Sequence, residues 1–191
     1  MKQTLITEKT VLDEVTKGVA ETLNIDKGSI TPEQSLMKDL GAESLDFLDI
    51  TYRLEQTFGI KMARHFVLEH VETMFGEGSA IDENGQLTDK AVELLKIRAG
   101  GDLPEEIHAG MDMDEVPALV TVQTMARGVL DILDSLPATC TACGNAAWKT
   151  EDGIHITCGS CGAHASFENG DDLTKAWLTK VQEEKKLFGA G

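Results

Sequence analysis

Basic residues are scarce in this sequence. Its 191 residues include 17 Lys and Arg against 33 Asp and Glu, a formal charge of -16. Nucleic-acid binding draws affinity from Lys and Arg that release counterions from phosphates, so this balance disfavours it. Such an acidic chain is complemented by enzymes with basic docking patches, although acidity also serves solubility alone. Aromatics are few, at 5%, which favours a compact helical protein over an aromatic-rich sheet. No window approaches the ~18 consecutive apolar residues of a membrane span, so no stable membrane insertion is expected. Met1-Lys2-Gln3-Thr4 lacks the apolar run and cleavage site of a signal peptide. No glycine-rich phosphate loop is present. His65 and His70 do not form His-Glu-x-x-His, and Phe66-Val67-Leu68 between them reads as packing. Asp82-Glu83-Asn84-Gly85 fails as a calcium loop, because Ala80 and Ala91 fall where oxygen donors are required. Cysteine is absent outside Cys140–Cys161. That clustering fits a reducing compartment better than a disulfide framework, and a cytoplasmic location is expected.

Within that stretch the cysteines form two Cys-x-x-Cys pairs, Cys140/Cys143 and Cys158/Cys161, separated by 14 residues. Tetrahedral Zn²⁺ takes four thiolates, and two such knuckles joined by a hairpin supply them with no open position for a catalytic water. The site is expected to be structural. Ala146–Lys149 and Ile154–Thr157 read as the hairpin strands, turning at Glu151-Asp152-Gly153. A redox dithiol is the weaker rival, since that motif belongs after a strand in a βαβ unit. His155 and His164 lie nearby and read as surface histidines. Leu173–Phe188 reads as a helix packed on the ribbon through Trp177, Leu178 and Val181.

The rest of the chain shows helical periodicity. Val11, Leu12, Val15, Val19 and Leu23 give one apolar face to a helix over Thr7–Leu23, with Thr7 or Thr10 as cap. A polar loop, Asn24–Gln34, follows, and Ile25, Ile30, Leu36 and Leu40 are its expected core anchors. A second helix is predicted over Ser44–Phe58, ended by Gly59. Phe47, Ile50, Thr51, Leu54 and Phe58 form its inward stripe. Leu45, Leu48 and Tyr52 make a second apolar line beside Asp46 and Asp49. Further helices are predicted over Met62–Phe75, Leu87–Arg98, Met111–Leu119 and Thr121–Leu133. Ser44 itself reads two ways: as a helix N-cap, or as a modified serine. An anion placed at a helix N-terminus meets unpaired N–H groups and the positive end of the macrodipole.

The run Asp39-Leu40-Gly41-Ala42-Glu43-Ser44-Leu45-Asp46-Phe47-Leu48-Asp49-Ile50, continuing to Phe58-Gly59-Ile60, resembles the modification site of acyl carrier proteins. In that family a serine at the start of the second helix carries 4'-phosphopantetheine. The family pattern is Asp-Ser-Leu, and Glu43-Ser44-Leu45 keeps both the charge and the serine. The resemblance covers about residues 5–60 and 111–135. It implies an acyl-carrier-like helical bundle. With the periodicity and the cysteine pairs, the expectation is a mainly α fold: an acyl-carrier-like helical domain over 1–136 with a helical insertion at about 61–110, where the chain departs from the usual short carrier, then a zinc-ribbon module with a C-terminal helix over 137–191. The resemblance further implies a carrier and not an enzyme. Ser44 would hold the 4'-phosphopantetheine arm, and acyl groups would ride on it as thioesters. The implied partners are a phosphopantetheinyl transferase and the acyl-transfer and chain-elongation enzymes of fatty-acid or specialised lipid biosynthesis. Partner recognition falls by analogy on Glu43, Leu45, Asp46, Leu48, Asp49, Tyr52 and Glu55. Ser44–Ile50 with Phe58-Gly59-Ile60-Lys61 is similar to carriers of very-long-chain acyl groups of bacterial lipid A. A polyketide or aminoacyl carrier would use the same serine. A zinc-ribbon interaction protein on a helical scaffold is the alternative from another class.

Overall fold

The structure, a computed structural model, describes residues 3–101 and 103–189. Among these, the α-helices are α1 (Glu8–Leu23), α2 (Ser44–Phe58), α3 (Val67–Phe75), α4 (Asp89–Ala99), α5 (Val122–Leu133) and α6 (Gly170–Lys185). Two short strands, β1 (Trp148–Thr150) and β2 (Ile156–Cys158), complete a mainly α chain. It forms two compact units. One comprises the residues up to Met62 with Ala118–Gly170, and the other Ala63–Pro117 with the chain from Asp171 onward.

In the first unit α1 packs on both α2 and α5. Thr7 caps α1, its Oγ1 accepting the Thr10 N–H at 3.1 Å, and Thr121 caps α5 by the same bond to Thr124. Val11, Val15 and Val19 of α1 meet Ile50, Leu54 and Phe58 of α2 and Val122, Met125, Val129 and Ile132 of α5 in the buried core. Each fully buried side chain of this size contributes roughly 1.5–3 kcal/mol. Phe47 and Thr51 are only half-buried, so the α2 stripe is narrower than its spacing predicts. In the loop before α2, Leu36 is fully buried while Ile25, Ile30 and Leu40 are half-buried. Backbone bonds Leu36 N–H to Val120 O (2.9 Å) and Val122 N–H to Gln34 O (3.1 Å) stitch that loop to the entry of α5. The ribbon strands pair antiparallel, Trp148 opposite Cys158 and Thr150 opposite Ile156, a little further along the chain than the alternation predicts.

In the second unit the predicted helix over Met62–Phe75 starts only at Val67. Glu69 takes the Phe66 N–H at 3.2 Å, and the N–H groups of Arg64 and His65 donate to the Asp171 carboxylate (3.0 and 3.2 Å), so these amides are held by side chains rather than helix carbonyls. The helix predicted from Leu87 begins at Asp89, because Leu87 pairs its backbone with Met111 and Gly110 and Thr88 caps. The Met111–Leu119 prediction corresponds to a 3-10 turn over Met113–Leu119. The expected boundary at 136/137 is not where the units divide. α6 from Asp171 onward belongs with Ala63–Pro117: Trp177 lies under the Arg98 guanidinium at 4.9 Å, and Phe188 beyond the helix stacks on Phe75 at 4.9 Å.

Candidate functional site

The approach to α2 is held rigid. The Asp39 carboxylate accepts the Ser35 N–H (2.7 Å), and the N–H of buried Ala42 donates to Leu36 O (2.8 Å). Between them Gly41 takes φ +73, a left-handed turn that favours glycine. Glu43 occupies the N-cap position, and its N–H donates to Asp46 Oδ2 at 2.8 Å. Ser44 is therefore the first residue of the helix and not its cap. Its side chain is exposed. Among the described residues none hydrogen-bonds its hydroxyl. The cap reading fails, and a nucleophilic oxygen stands free at the helix mouth.

Three large apolar side chains follow it into solvent: Leu45 at 76% exposure, Leu48 at 59% and Tyr52 at 58%. Spaced by three and four residues, they form one line along α2. Together they make a continuous apolar strip in water on the helix surface. Glu43 is exposed beside them, and Asp46 is half-exposed although occupied by the Glu43 N–H. Asp49 accepts from Arg53 Nε and from Thr22 Oγ1, each at 2.8 Å, and Arg53 also reaches Glu21 at 3.1 Å. The Arg53 bond first, then that from Thr22, holds the Asp49 carboxyl below its ordinary value. Asp49 is thus a charge partly answered from within. Its i,i+4 pairing with Arg53 was visible in the spacing, but Thr22 was not. Glu55 departs from the expected set altogether. It is 3% exposed, accepts the Met62 N–H at 2.9 Å and pairs with Lys61 at 3.5 Å. Gly59, at φ +66, turns the chain back so that Met62 meets it. Glu55 lies off the exposed line and ties down the end of α2.

The four cysteines converge. Their sulfurs all lie within 4.8 Å of one another, with Cys140–Cys161 at 3.7 Å and Cys143–Cys158 at 3.6 Å. A tetrahedral ion with bonds of ~2.3 Å separates its sulfurs by about 3.8 Å. The two knuckles repeat one turn. Gly144 and Gly162, at φ +76 and +77, donate their N–H groups to Cys140 O and Cys158 O, each at 2.8 Å. The Ser160 N–H foremost, with further donors, lowers the Cys158 thiol to about 6. At Cys161 the Ala163 N–H favours the thiolate, but the neighbouring sulfurs and burial outweigh it and push the thiol up to about 12. The cluster could hold a metal. His155 is taken by Asp152 at 2.5 Å and stands outside the cluster.

Residues 13–73 match the protein family described as "Phosphopantetheine attachment site". The acyl carrier protein AcpXL of Rhizobium meliloti (strain 1021) is 48% identical over 92 residues, covering 46% of this chain and 93% of that protein. The chain belongs to the acyl carrier protein family. It is also similar to the AcpXL of Mesorhizobium japonicum, 49% identical over 53 residues, 28% of this chain and 57% of that protein. The acyl carrier protein of Helicobacter pylori (strain G27) is 38% identical over 52 residues, 27% of this chain and 67% of that protein. The chain spans little more than half the length of several of these relatives. The family match runs past Ile60 through most of α3, so the acyl carrier likeness extends into the segment expected to be an insertion. Among the described residues of this acyl carrier protein, no helix is long and apolar enough to cross a membrane.

Proposed function

We propose that Ser44 is the attachment point of 4'-phosphopantetheine and that the thiol at the end of that arm carries acyl groups as thioesters. The observation that carries this reading is the Ser44 hydroxyl itself. It is exposed at the first position of α2, released from capping by Glu43, and lies inside the family-matched stretch. The phosphodiester formed there faces the positive end of the α2 dipole. The protein presents its cargo and accelerates no step, so it acts as a carrier and not as an enzyme.

Leu45, Leu48 and Tyr52 form the apolar centre of the surface that receives partner enzymes, with Glu43, Asp46 and Asp49 as its acidic rim. Basic patches on a phosphopantetheinyl transferase, and on acyl-transfer and chain-elongation enzymes, complement that rim. Likeness to AcpXL proteins, together with Ser44–Ile50 and Phe58–Lys61, supports a specialised lipid pathway with a very-long-chain acyl cargo of the lipid A type. A cytoplasmic location fits cysteines clustered as metal ligands rather than spread as a disulfide framework. Cys140, Cys143, Cys158 and Cys161 hold a structural Zn²⁺, a reading supported by their near-tetrahedral sulfur spacing.

Incubation with coenzyme A and a broad-specificity phosphopantetheinyl transferase, followed by intact-mass measurement, tests the attachment. One phosphopantetheine adduct per chain is expected, and none on Ser44→Ala. An unmodified wild type, or an adduct that survives the substitution, refutes the reading. The cysteine site is tested separately by zinc content, which should fall by one ion per chain in Cys158→Ser.

A further inference from the structure

We propose that His65, His70 and Asp171 form a second metal site, open to solvent, that takes a divalent late-transition-metal ion such as Zn²⁺. This goes beyond the carrier reading and does not depend on Ser44. All three residues belong to the unit that comprises Ala63–Pro117 and the chain from Asp171 onward. His70 Nε2 lies 2.8 Å from Asp171 Oδ1, and His65 Nδ1 lies 3.5 Å from the same oxygen. One ligand atom from each residue falls within 4.8 Å of the other two. Tetrahedral Zn²⁺ with bonds of ~2.0–2.1 Å needs ligand separations of about 3.3 Å. The two contacts to Asp171, at 2.8 and 3.5 Å, bracket that value, and the two imidazoles close on it from no more than 4.8 Å.

The surroundings suit coordination. His70 is 5% exposed, and the Asp171 side chain is 19% exposed, whereas that of His65 is 62% exposed. Two ligands are thus fixed and one closes from the solvent side, leaving a coordination position for water or another ligand. The Asp171 carboxylate is oriented by the backbone N–H groups of Arg64 (3.0 Å) and His65 (3.2 Å), the outer support that ligating carboxylates commonly have. Two imidazoles and a carboxylate are a donor set for Zn²⁺ and its neighbours rather than for Mg²⁺ or Ca²⁺. A plain His70–Asp171 pair accounts for the 2.8 Å contact. It does not account for the exposed His65 turning Nδ1 toward the same oxygen. The net charge of -16 favours the approach of a cation.

The full chain is equilibrated with Zn²⁺, freed of excess metal, and weighed by native mass spectrometry beside His65→Ala. Because His65 is exposed, this substitution leaves the core intact. The variant should hold one zinc fewer per chain than wild type. Its Co²⁺ form should keep the thiolate charge-transfer absorption of the cysteine cluster unchanged. Zinc should also raise the thermal midpoint of the wild type more than that of the variant, since an ion bound only to the folded state stabilises it by mass action. Equal zinc counts in the two proteins overturn the proposal, whatever the cysteine site binds.

Discussion

In the unit that carries Ser44, α1, α2 and α5 meet through valines, leucines and isoleucines spaced along three helix faces. In the unit that contains Ala63–Pro117, the loops are gripped by carboxylates. Glu72 accepts the N–H groups of Gly78, Ala80 and Ile81 at 2.6–2.9 Å, and Asp82 Oδ1 accepts those of Asn84 and Gln86, each at 2.9 Å. Asp171 does the same for Arg64 and His65. The contrast changes what the acidic composition means. Glu72, Asp82 and Asp171 count toward the acidity of the chain but act as structural staples, each answering backbone donors. Glu55 makes the point inside the carrier helix itself.

Three perturbations sharpen this contrast. Leu54→Ala opens a cavity where α2 meets α1 and should cost about 2–5 kcal/mol in chemical denaturation. A loss well under 1 kcal/mol would mean that the helical core is not what holds that unit. Glu72→Ala strips three backbone donors of their acceptor and should cost about 1–3 kcal/mol. Hydrogen exchange should rise over residues 76–88 and stay unchanged in α1 and α2. Uniform acceleration across both units would break the contrast. The smallest effect is expected from pH. The Gln86 N–H chiefly, with help from Asn84, holds Asp82 below its ordinary value, as Arg53 and Thr22 hold Asp49. A depressed folded-state value means the stabilisation is present above the unfolded value near 3.8 and is lost as pH falls through the lower folded one. Carboxyl NMR titration should therefore place both midpoints below 3.8, with both grips intact at neutral pH. A midpoint at or above that value would contradict the hydrogen bonds described.

What could be read in the sequence follows the same divide. α2 runs over Ser44–Phe58 as its periodicity predicts, and Leu45, Leu48 and Tyr52 stand out of it as their spacing requires. The Cys-x-x-Cys pairs converge as their separation implies. These features are local, or repeat at the pitch of a helix. Glu55 was misplaced because its partner, Met62, lies beyond a glycine turn, and a helix wheel cannot show where the chain returns. The start of α3 was overread because the acceptor for Arg64 and His65 is 106–107 residues away. His65 and His70 carry no local motif, since Asp171 lies 101 residues beyond His70. The ribbon's helix was assigned to its sequence neighbour, whereas Phe188 finds Phe75.

The carrier unit is discontinuous in the chain: Ala63–Pro117 belongs to the other unit, and the residues on either side belong to this one. On a ribosome that order matters. α1 and α2 emerge early, but α5, which covers the valine face of α1, follows only after those 55 residues have been made. At 5–20 residues per second the delay is roughly 3–11 s. Throughout it Val11, Val15 and Val19 lack part of their native cover, long after helices themselves could form. The nascent chain therefore passes through a stage in which the stretch around Ser44 exists but has no finished fold to present it.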